Sequence, residues 1–289
     1  MTYCLGIITK DGLVMACDSR TNAGHDAVNT SRKMHTFVQT GERVFVLLTS
    51  GSLSCTQSVL TLLRRDFDKG MGLAVAQSMY DAAREVGDKV RQVGELDRPY
   101  LERDEYRFNV HVLLGGQVRG EAPCLFMVYP QGNPLQATTD APYLQIGETK
   151  YGRPILDRGI RYDRTTLEEA AKYALLSLDS TMRSNVTVGP PIDLLAYAND
   201  EFDVTRQKCF EQDDAGLTKI RTRWDQALRA AVLKLPDIRF KKREQLAKAG
   251  VSPMQEETIE VVDPPPSASD AAELQPQQST PTTRRDARS

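Results

Sequence analysis

The first part of the chain alternates between short apolar runs and turn chemistry. Residues 3–9 are apolar and partly β-branched, Lys10-Asp11-Gly12 supplies a D-G turn, and residues 13–17 return as a second apolar run. That pattern predicts a β-hairpin. Beyond a polar loop at 19–31, residues 34–38 and 44–49 read as two more strands, the second one buried. Helical spacing then takes over. In 52–67, Val59, Leu60, Leu62, Leu63 and Phe67 can share a face. Gly70 interrupts, and from about Leu73 the residues Val75, Met79, Ala82, Val86, Val90 and Val93 recur at the period of a second helix. Strands resume at 108–114, 123–129 and 143–146. Thr166-Leu167-Glu168-Glu169 has the form of a capping box and opens a helix to about Arg183. A buried strand at 192–197 is expected to pair with 202–210. Asp213-Asp214 starts a last helix, with Leu217, Ile220, Trp224, Leu228 and Leu235 on one side.

The order strands, two helices, strands, helix, strands, helix is not a βαβ alternation. It predicts an α+β domain in which two antiparallel sheets pack together, with helices on both outer faces. This block reaches about Lys242, and we set the domain at 2–248. From 249 to 289 the composition shifts to Pro264-Pro265-Pro266, Ser, Gln and Thr, closing on Arg284-Arg285-Asp286-Ala287-Arg288-Ser289. Too little apolar surface remains there to offset the entropy of ordering, so the segment is expected to be a disordered tail. A tail that folds onto a partner is the alternative.

Charge narrows the partners. A formal net charge of −2 over 289 residues gives no broad attraction to nucleic acid or to an anionic membrane. No apolar stretch is long enough to span a bilayer, and the N-terminus lacks the basic-then-apolar run of a secretory signal. Cys4, Cys17, Cys55, Cys124 and Cys209 are scattered singly among apolar residues without a C-x-x-C pair. They are expected to be reduced core thiols of a cytoplasmic protein. His25, His35 and His111 sit at no ligand-like spacing with a cysteine or carboxylate, so no metal site and no cofactor are expected.

Three residues could carry chemistry together: Thr2, Asp18 and Lys33. A threonine hydroxyl is a poor nucleophile without a base and a field that favours its alkoxide. A small residue after an initiator methionine permits that methionine's removal. Thr2 would then supply its own base, because a free α-amine has an ordinary pKa near 8. A lysine ammonium close by favours loss of the hydroxyl proton, and a carboxylate beside that lysine keeps it charged and aimed. Taken singly, each residue has an ordinary explanation: threonine after Met1 is common, Asp18-Ser19-Arg20 suits a turn, and Lys33 beside Arg32 suits a solvated face.

The arrangement resembles a known family. The run 2–12 followed by Asp18-Ser19-Arg20-Thr21-Asn22-Ala23-Gly24 resembles the start of proteasome β subunits and bacterial HslV-type peptidases. Arg32-Lys33-Met34 resembles their lysine-bearing strand. Val46-Leu47-Leu48-Thr49-Ser50-Gly51 resembles the strand ending in their oxyanion glycine. A second block, 154–163 with Glu168-Glu169-Ala170 and Arg183, matches as well. With Ile146-Gly147-Glu148-Thr149-Lys150-Tyr151-Gly152, the chain looks most like the bacterial Anbu family, the proposed ancestral β subunit.

The resemblance implies the four-layer αββα sandwich of N-terminal nucleophile hydrolases. It implies Thr2 as nucleophile and base, Lys33 as its tuner, Asp18 as the residue orienting Lys33, and the Gly51 N–H at the oxyanion. Thr21 and Thr49 would line the substrate cleft, with Ser19, Glu148, Ser184 and Thr187 in possible support. It further implies a peptide or other amide substrate, no cofactor, and self-association into a closed ring or an open spiral; no ATPase partner motif is visible. The chain departs from the proteasome pattern in two places. Glu148 stands where a serine would contact the threonine amine, and Ser184 replaces an aspartate, with Thr187 aligned to the following serine. A carboxylate at 148 would raise the pKa of the amine; alternatively it points to solvent or to Lys150. Two other functions compete. One is a non-catalytic assembly protein with a vestigial site, and the other is a thiol hydrolase using Cys4 or Cys17.

Overall fold

The computed structural model describes residues 2–22 and 28–240. Strand β1 (Tyr3–Thr9) turns into β2 (Gly12–Asp18), followed by a short ribbon of β3 (Arg20–Asn22) and β4 (Val28–Thr30). Next come β5 (Met34–Gln39), β6 (Arg43–Gly51), helix α1 (Leu53–Asp68) and helix α2 (Met79–Arg103). Strands β7 (Val110–Val118), β8 (Cys124–Val128), β9 (Pro134–Gln136) and β10 (Tyr143–Gly147) follow, then α3 (Arg153–Gly159) and α4 (Leu167–Ser184). The described chain closes with β11 (Ile192–Ala198), β12 (Arg206–Phe210) and α5 (Ala215–Val232).

Two antiparallel five-stranded sheets result, in the orders β10-β1-β2-β11-β12 and β5-β6-β7-β8-β9. Period-2 alternation explains why their central strands are apolar without a break. On β1, Tyr3, Leu5 and Ile7 face α3 and α4, while Cys4 and Ile8 face the other sheet. On β6, Phe45 and Leu47 face α1 and α2, while Val44, Val46 and Leu48 meet Leu13, Met15 and Cys17 between the sheets. Both faces of each central strand are therefore covered, and each large side chain so buried contributes about 1.5–3 kcal/mol. This is the four-layer αββα sandwich that the element order predicts.

The capping box is present: Thr166 Oγ1 accepts from the Glu169 N–H, and the Glu169 carboxylate accepts from the Thr166 N–H. Other expectations need correcting. The second helix does not start near Leu73. Gly72, at φ +59°, sets up a single tight turn over Gly72–Val75, and α2 begins after Ser78, whose hydroxyl accepts from the Asp81 N–H. The expected strand 202–210 is shortened to β12, because Phe202 takes a φ of +44° that a strand cannot continue. Strands β3, β4 and β9 and helix α3 carry no periodic signal, being only three to seven residues long. Cys4, Cys17 and Cys55 are core thiols as expected, but Cys124 is half-buried and Cys209, on the edge strand β12, is exposed.

The chain divides into compact units at 1–223 and 224–289. In the first, Leu217 is buried and Ile220 packs against the α3–α4 core. In the second, Leu228 and Leu235, expected to share a helix side, are exposed, as are Leu233, Ile238 and Phe240. The expected boundary at 248 and the tail 249–289 lie outside the described residues.

Candidate active site

The β1–β2 hairpin fixes where its first residue goes. With Cys4 paired to Cys17, Tyr3 lies opposite Asp18, and on its other side Tyr3 pairs with Gly147 of β10. The chain is pinned from both directions. The Tyr3 N–H donates to Asp18 Oδ1 at 3.0 Å, and the Thr2 carbonyl accepts from the Glu148 N–H at 2.8 Å. The Tyr3 phenol reaches into the helix layer, where it meets Ser177 Oγ at 2.6 Å and accepts from Gln145. Burial pushes its pKa far up, so it stays protonated.

Gly147 makes this docking possible. At φ +86°, a Cβ there would fall 1.9 Å from the Thr2 carbonyl oxygen. Gly147→Ala is therefore expected to displace Thr2 and to cost about 1–3 kcal/mol in backbone strain alone. Thermal denaturation, together with adduct formation at Thr2, checks both effects.

Asp18 is fully buried and its carboxylate accepts three hydrogen bonds. Oδ1 takes Lys33 Nζ at 2.7 Å as well as Tyr3, and Oδ2 takes the Gly189 N–H at 3.3 Å. Burial pushes its carboxyl up, opposed by Lys33 and by the two N–H groups. Lys33, itself buried, also donates to the Arg20 carbonyl at 2.6 Å, and its own carbonyl accepts from the Thr49 N–H at 3.1 Å. Asp18 sits on one sheet and Lys33 enters β5 of the other, so the pair spans the sandwich.

Thr2 and Gly51 open onto a cleft of about 970 Å³, bounded by Thr21, Asn109, Tyr129 and Thr149. A side cavity of about 390 Å³ leads off beside them, lined by Lys33, His35, Thr49 and Gln57 among others. Gly51 has φ +112°, and a Cβ would strike the Asn109 carbonyl at 2.0 Å. No other residue type fits that strand end.

The structure thus brings together Thr2, Asp18, Lys33, Gly51, Thr21 and Thr49. Ser19 is adjacent, its hydroxyl 3.3 Å from Asp193 Oδ2 and its N–H on the Pro191 carbonyl. Glu148 does not point only to solvent: its carboxylate accepts from Asn185 Nδ2 at 3.0 Å and lies 3.7 Å from Lys150. Thr187 joins that network through Asn185 Oδ1. Ser184, at the end of α4, is exposed and lines neither cavity.

Sequence reasoning missed Asn185, Gly189 and His35. For His35 a signal existed, because it lies two residues beyond Lys33 and so shares its strand face. Burial and the neighbouring Arg32 and Arg64 cations lower the His35 pKa, while the Arg32 carbonyl bonds the ring. Nε2 has no hydrogen-bond partner among the described residues, so the bonded nitrogen is Nδ1. An unfilled buried acceptor of this kind costs about 1–3 kcal/mol. The two buried thiols on β1 and β2 lie side by side across the hairpin. Cys17 is held well above the usual thiol range by its contact with Cys4 and by burial, and neither residue lines the cleft or its side cavity.

Comparison with known proteins agrees with this geometry. Residues 2–195 match the family model described as proteasome subunit. Proteasome subunit beta 1 of Pyrobaculum calidifontis is 26% identical over 208 residues, covering 70% of this chain and 92% of that protein. Among solved structures, Anbu (ancestral beta-subunit) from Yersinia bercovieri is 43% identical with a TM-score of 0.78, covering 83% of this chain and 100% of that one. Anbu from Hyphomicrobium sp. strain MC1 is 45% identical with a TM-score of 0.75, at the same coverage. The helical assembly of the Anbu complex from Pseudomonas aeruginosa gives 43% identity and a TM-score of 0.77, covering 82% of this chain and 98% of that one.

Proposed function

Because the chain belongs to the proteasome subunit family, as an Anbu-type β subunit, we propose that it is a threonine hydrolase of peptide or other amide bonds, activated by loss of Met1. One observation carries this reading: the buried Lys33 ammonium, fixed by Asp18 and the Arg20 carbonyl, lines the same cavity as Thr2.

The chemistry follows from the parts. Removal of Met1 leaves a free α-amine on Thr2. Thr2 Oγ attacks the substrate carbonyl carbon, and its proton passes to that amine directly or through one water. Lys33 lowers the cost of the developing alkoxide. The carbonyl oxygen becomes an oxyanion facing the Gly51 N–H, a contact that typically contributes a few kcal/mol. Collapse breaks the C–N bond, and the departing amine takes the proton from the α-ammonium. Water, deprotonated by the same amine, then hydrolyses the ester and restores Thr2. The substrate is read as an extended strand held at the cleft edge near Thr21 and Gly51.

Thr2, Asp18 and Lys33 are thus the proposed catalytic residues, with Thr49 and Thr21 on the cleft wall. Ser19, Glu148 and Thr187 act behind them, and Ser184 has no contact that supports a role. Self-association into a ring or an open spiral is proposed from the assembled Anbu relative. No helix among the described residues is long and apolar enough to cross a membrane.

Intact-mass measurement and adduct mapping test the reading. The expected result is a chain lacking Met1 that takes one threonine-directed electrophile on Thr2. Retained Met1, or no adduct, favours the scaffold alternative.

Glu148 adds a pH prediction. The Glu148 N–H holds the Thr2 carbonyl and its carboxylate is bonded by Asn185; a carboxylate on the residue so docked to Thr2 is proposed to favour the charged amine and raise that amine's pKa. Activity needs the neutral amine, so it rises with pH through that pKa. Glu148→Gln is expected to move the rising limb of kcat/KM to lower pH, and a limb that stays in place would sink the idea.

A further inference from the structure

We propose that the open edge of β5, with the groove between it and α1, seats the acyl-side extension of a peptide substrate, and that this exosite takes an acidic segment. The inference rests on Thr2 being the nucleophile. It concerns a surface outside the cleft and outside its side cavity.

The main chain offers the first half of the site. Among the described residues β5 ends its sheet and pairs with β6 alone. The Lys33 carbonyl accepts from the Thr49 N–H, so bonded pairs recur at every second residue, and His35, Phe37 and Gln39 turn their peptide groups toward β6. Thr36 and Val38 then turn theirs to the open edge, and both residues are only half-buried. The Arg64 guanidinium reaches the Thr36 carbonyl at 2.7 Å, as an outward carbonyl requires. An edge of this kind is a template for an extended peptide.

Side chains set the sign. The groove has a volume of about 650 Å³, and Phe37, Leu60, Arg64, Arg65 and Asp68 line it with His35. Arg64 lies 4.0 Å over the Phe37 ring. The ring and the Thr36 carbonyl hold its planar head, while the other N–H donors of the fork are uncommitted among the described residues. A fork held in place beforehand suits a carboxylate. Arg65 is exposed and comes only to 3.4 Å from Asp66, a carboxylate that Lys89 already holds at 2.6 Å. Burial keeps His35 neutral. Asp68 is the one carboxylate among the described groove residues, so two cations face one anion. That balance favours an acidic segment over a basic one, most strongly at low salt.

Continuity with the substrate site fixes the occupant. His35, Gln57 and Leu60 line both this groove and the side cavity that Thr2 and Gly51 border. Ser31 and Arg32, which lead into β5, line that cavity too. From Lys33 to Thr36 is about 10 Å of strand. An acidic residue roughly three to five places before the attacked one therefore meets the Arg64 fork.

The test uses full-length protein lacking Met1 and fluorogenic peptides in which Glu, Gln or Lys is moved one place at a time ahead of the attacked residue. Within that window Glu is expected to lower KM about three- to tenfold against Gln, with kcat little changed, and added salt to erase the gain. Arg64→Glu combined with Arg65→Glu is expected to invert the order, so that Lys is now preferred at the same place. Misfolding would not produce that inversion. Asp68→Asn is expected to deepen the preference for Glu. Equal KM for all three residues at every place, or a Glu gain that survives the double reversal, overturns the proposal.

Binding separates this from the catalytic reading. Fluorescein-labelled versions of the same peptides are titrated against Thr2→Ala protein by anisotropy. Glu-dependent binding that the double reversal abolishes, without wild-type turnover, would sink the hydrolase and keep the exosite. Turnover with no preference for Glu would sink the exosite alone. Glu-dependent binding that leaves the KM of the matched substrate unmoved would assign the groove to another acidic partner and overturn its role toward substrate.

Discussion

Thr2→Ala protein is expected to keep its fold and to lose at least about 10⁴-fold in kcat. Removal of a nucleophile that acts as a unit with its base has effects of that order. The fold survives because what anchors this end of β1 is backbone and neighbour: the Thr2 carbonyl on Glu148, the Tyr3 N–H on Asp18, and the Tyr3 phenol on Ser177. Alanine is also small enough to permit loss of Met1, so this variant keeps the amine and removes only the hydroxyl. A chain carrying an uncleaved extension ahead of Met1 does the reverse, keeping the hydroxyl and turning the amine into an amide. Both are expected to be inactive, while Thr2→Ser retains measurable turnover. Single-turnover hydrolysis of a fluorogenic peptide, beside circular dichroism, reads the set. Activity in the extended chain would mean that the base lies elsewhere.

The second large effect belongs to the ion pair. Lys33→Met is expected to reduce stability by about 3–5 kcal/mol, because it strands the buried Asp18 charge. It should also slow turnover by about 10²–10³-fold, the scale of losing one preorganised electrostatic partner. These two losses can be separated. In the double variant Asp18→Asn with Lys33→Met no buried charge remains, and the amide oxygen introduced at position 18 can still accept from the Tyr3 N–H, while the amide nitrogen gives up the weaker 3.3 Å bond to the Gly189 N–H. Stability is expected to return to within about 1–2 kcal/mol of wild type, while turnover stays low. Urea denaturation and steady-state kinetics on the four corners of this cycle measure both. Recovery of turnover in the double variant would remove Lys33 from the mechanism.

The sequence carried the fold well where burial was two-sided. Continuous apolar runs marked β1, β2 and β6, and periodic ones marked α1 and the body of α2, because each of these elements is gripped by core on the faces it presents. It failed where conformation was set by single dihedrals or by very short pairings. Gly72 and Phe202, both at positive φ, relocate a helix start and a strand start that composition alone places elsewhere. The site was legible in part for the same reason. Thr2, Asp18, Lys33 and Gly51 stand at strand ends that the apolar runs already delimit. Gly189, which completes the Asp18 acceptor, comes from a loop brought in by β11, and Asn185 from the exit of α4. Those contacts link residues 171 and 37 positions apart in the chain. No local pattern announces them.

The division of Asp18 and Lys33 between the two sheets has a consequence for the newly made chain. Neither sheet alone holds the whole set: one carries Thr2 with Asp18, the other Lys33. On the proposed function, hydrolytic power would then be a property of the closed sandwich. A ribosome-bound or half-folded chain would carry a threonine no more reactive than any other until its layers have met.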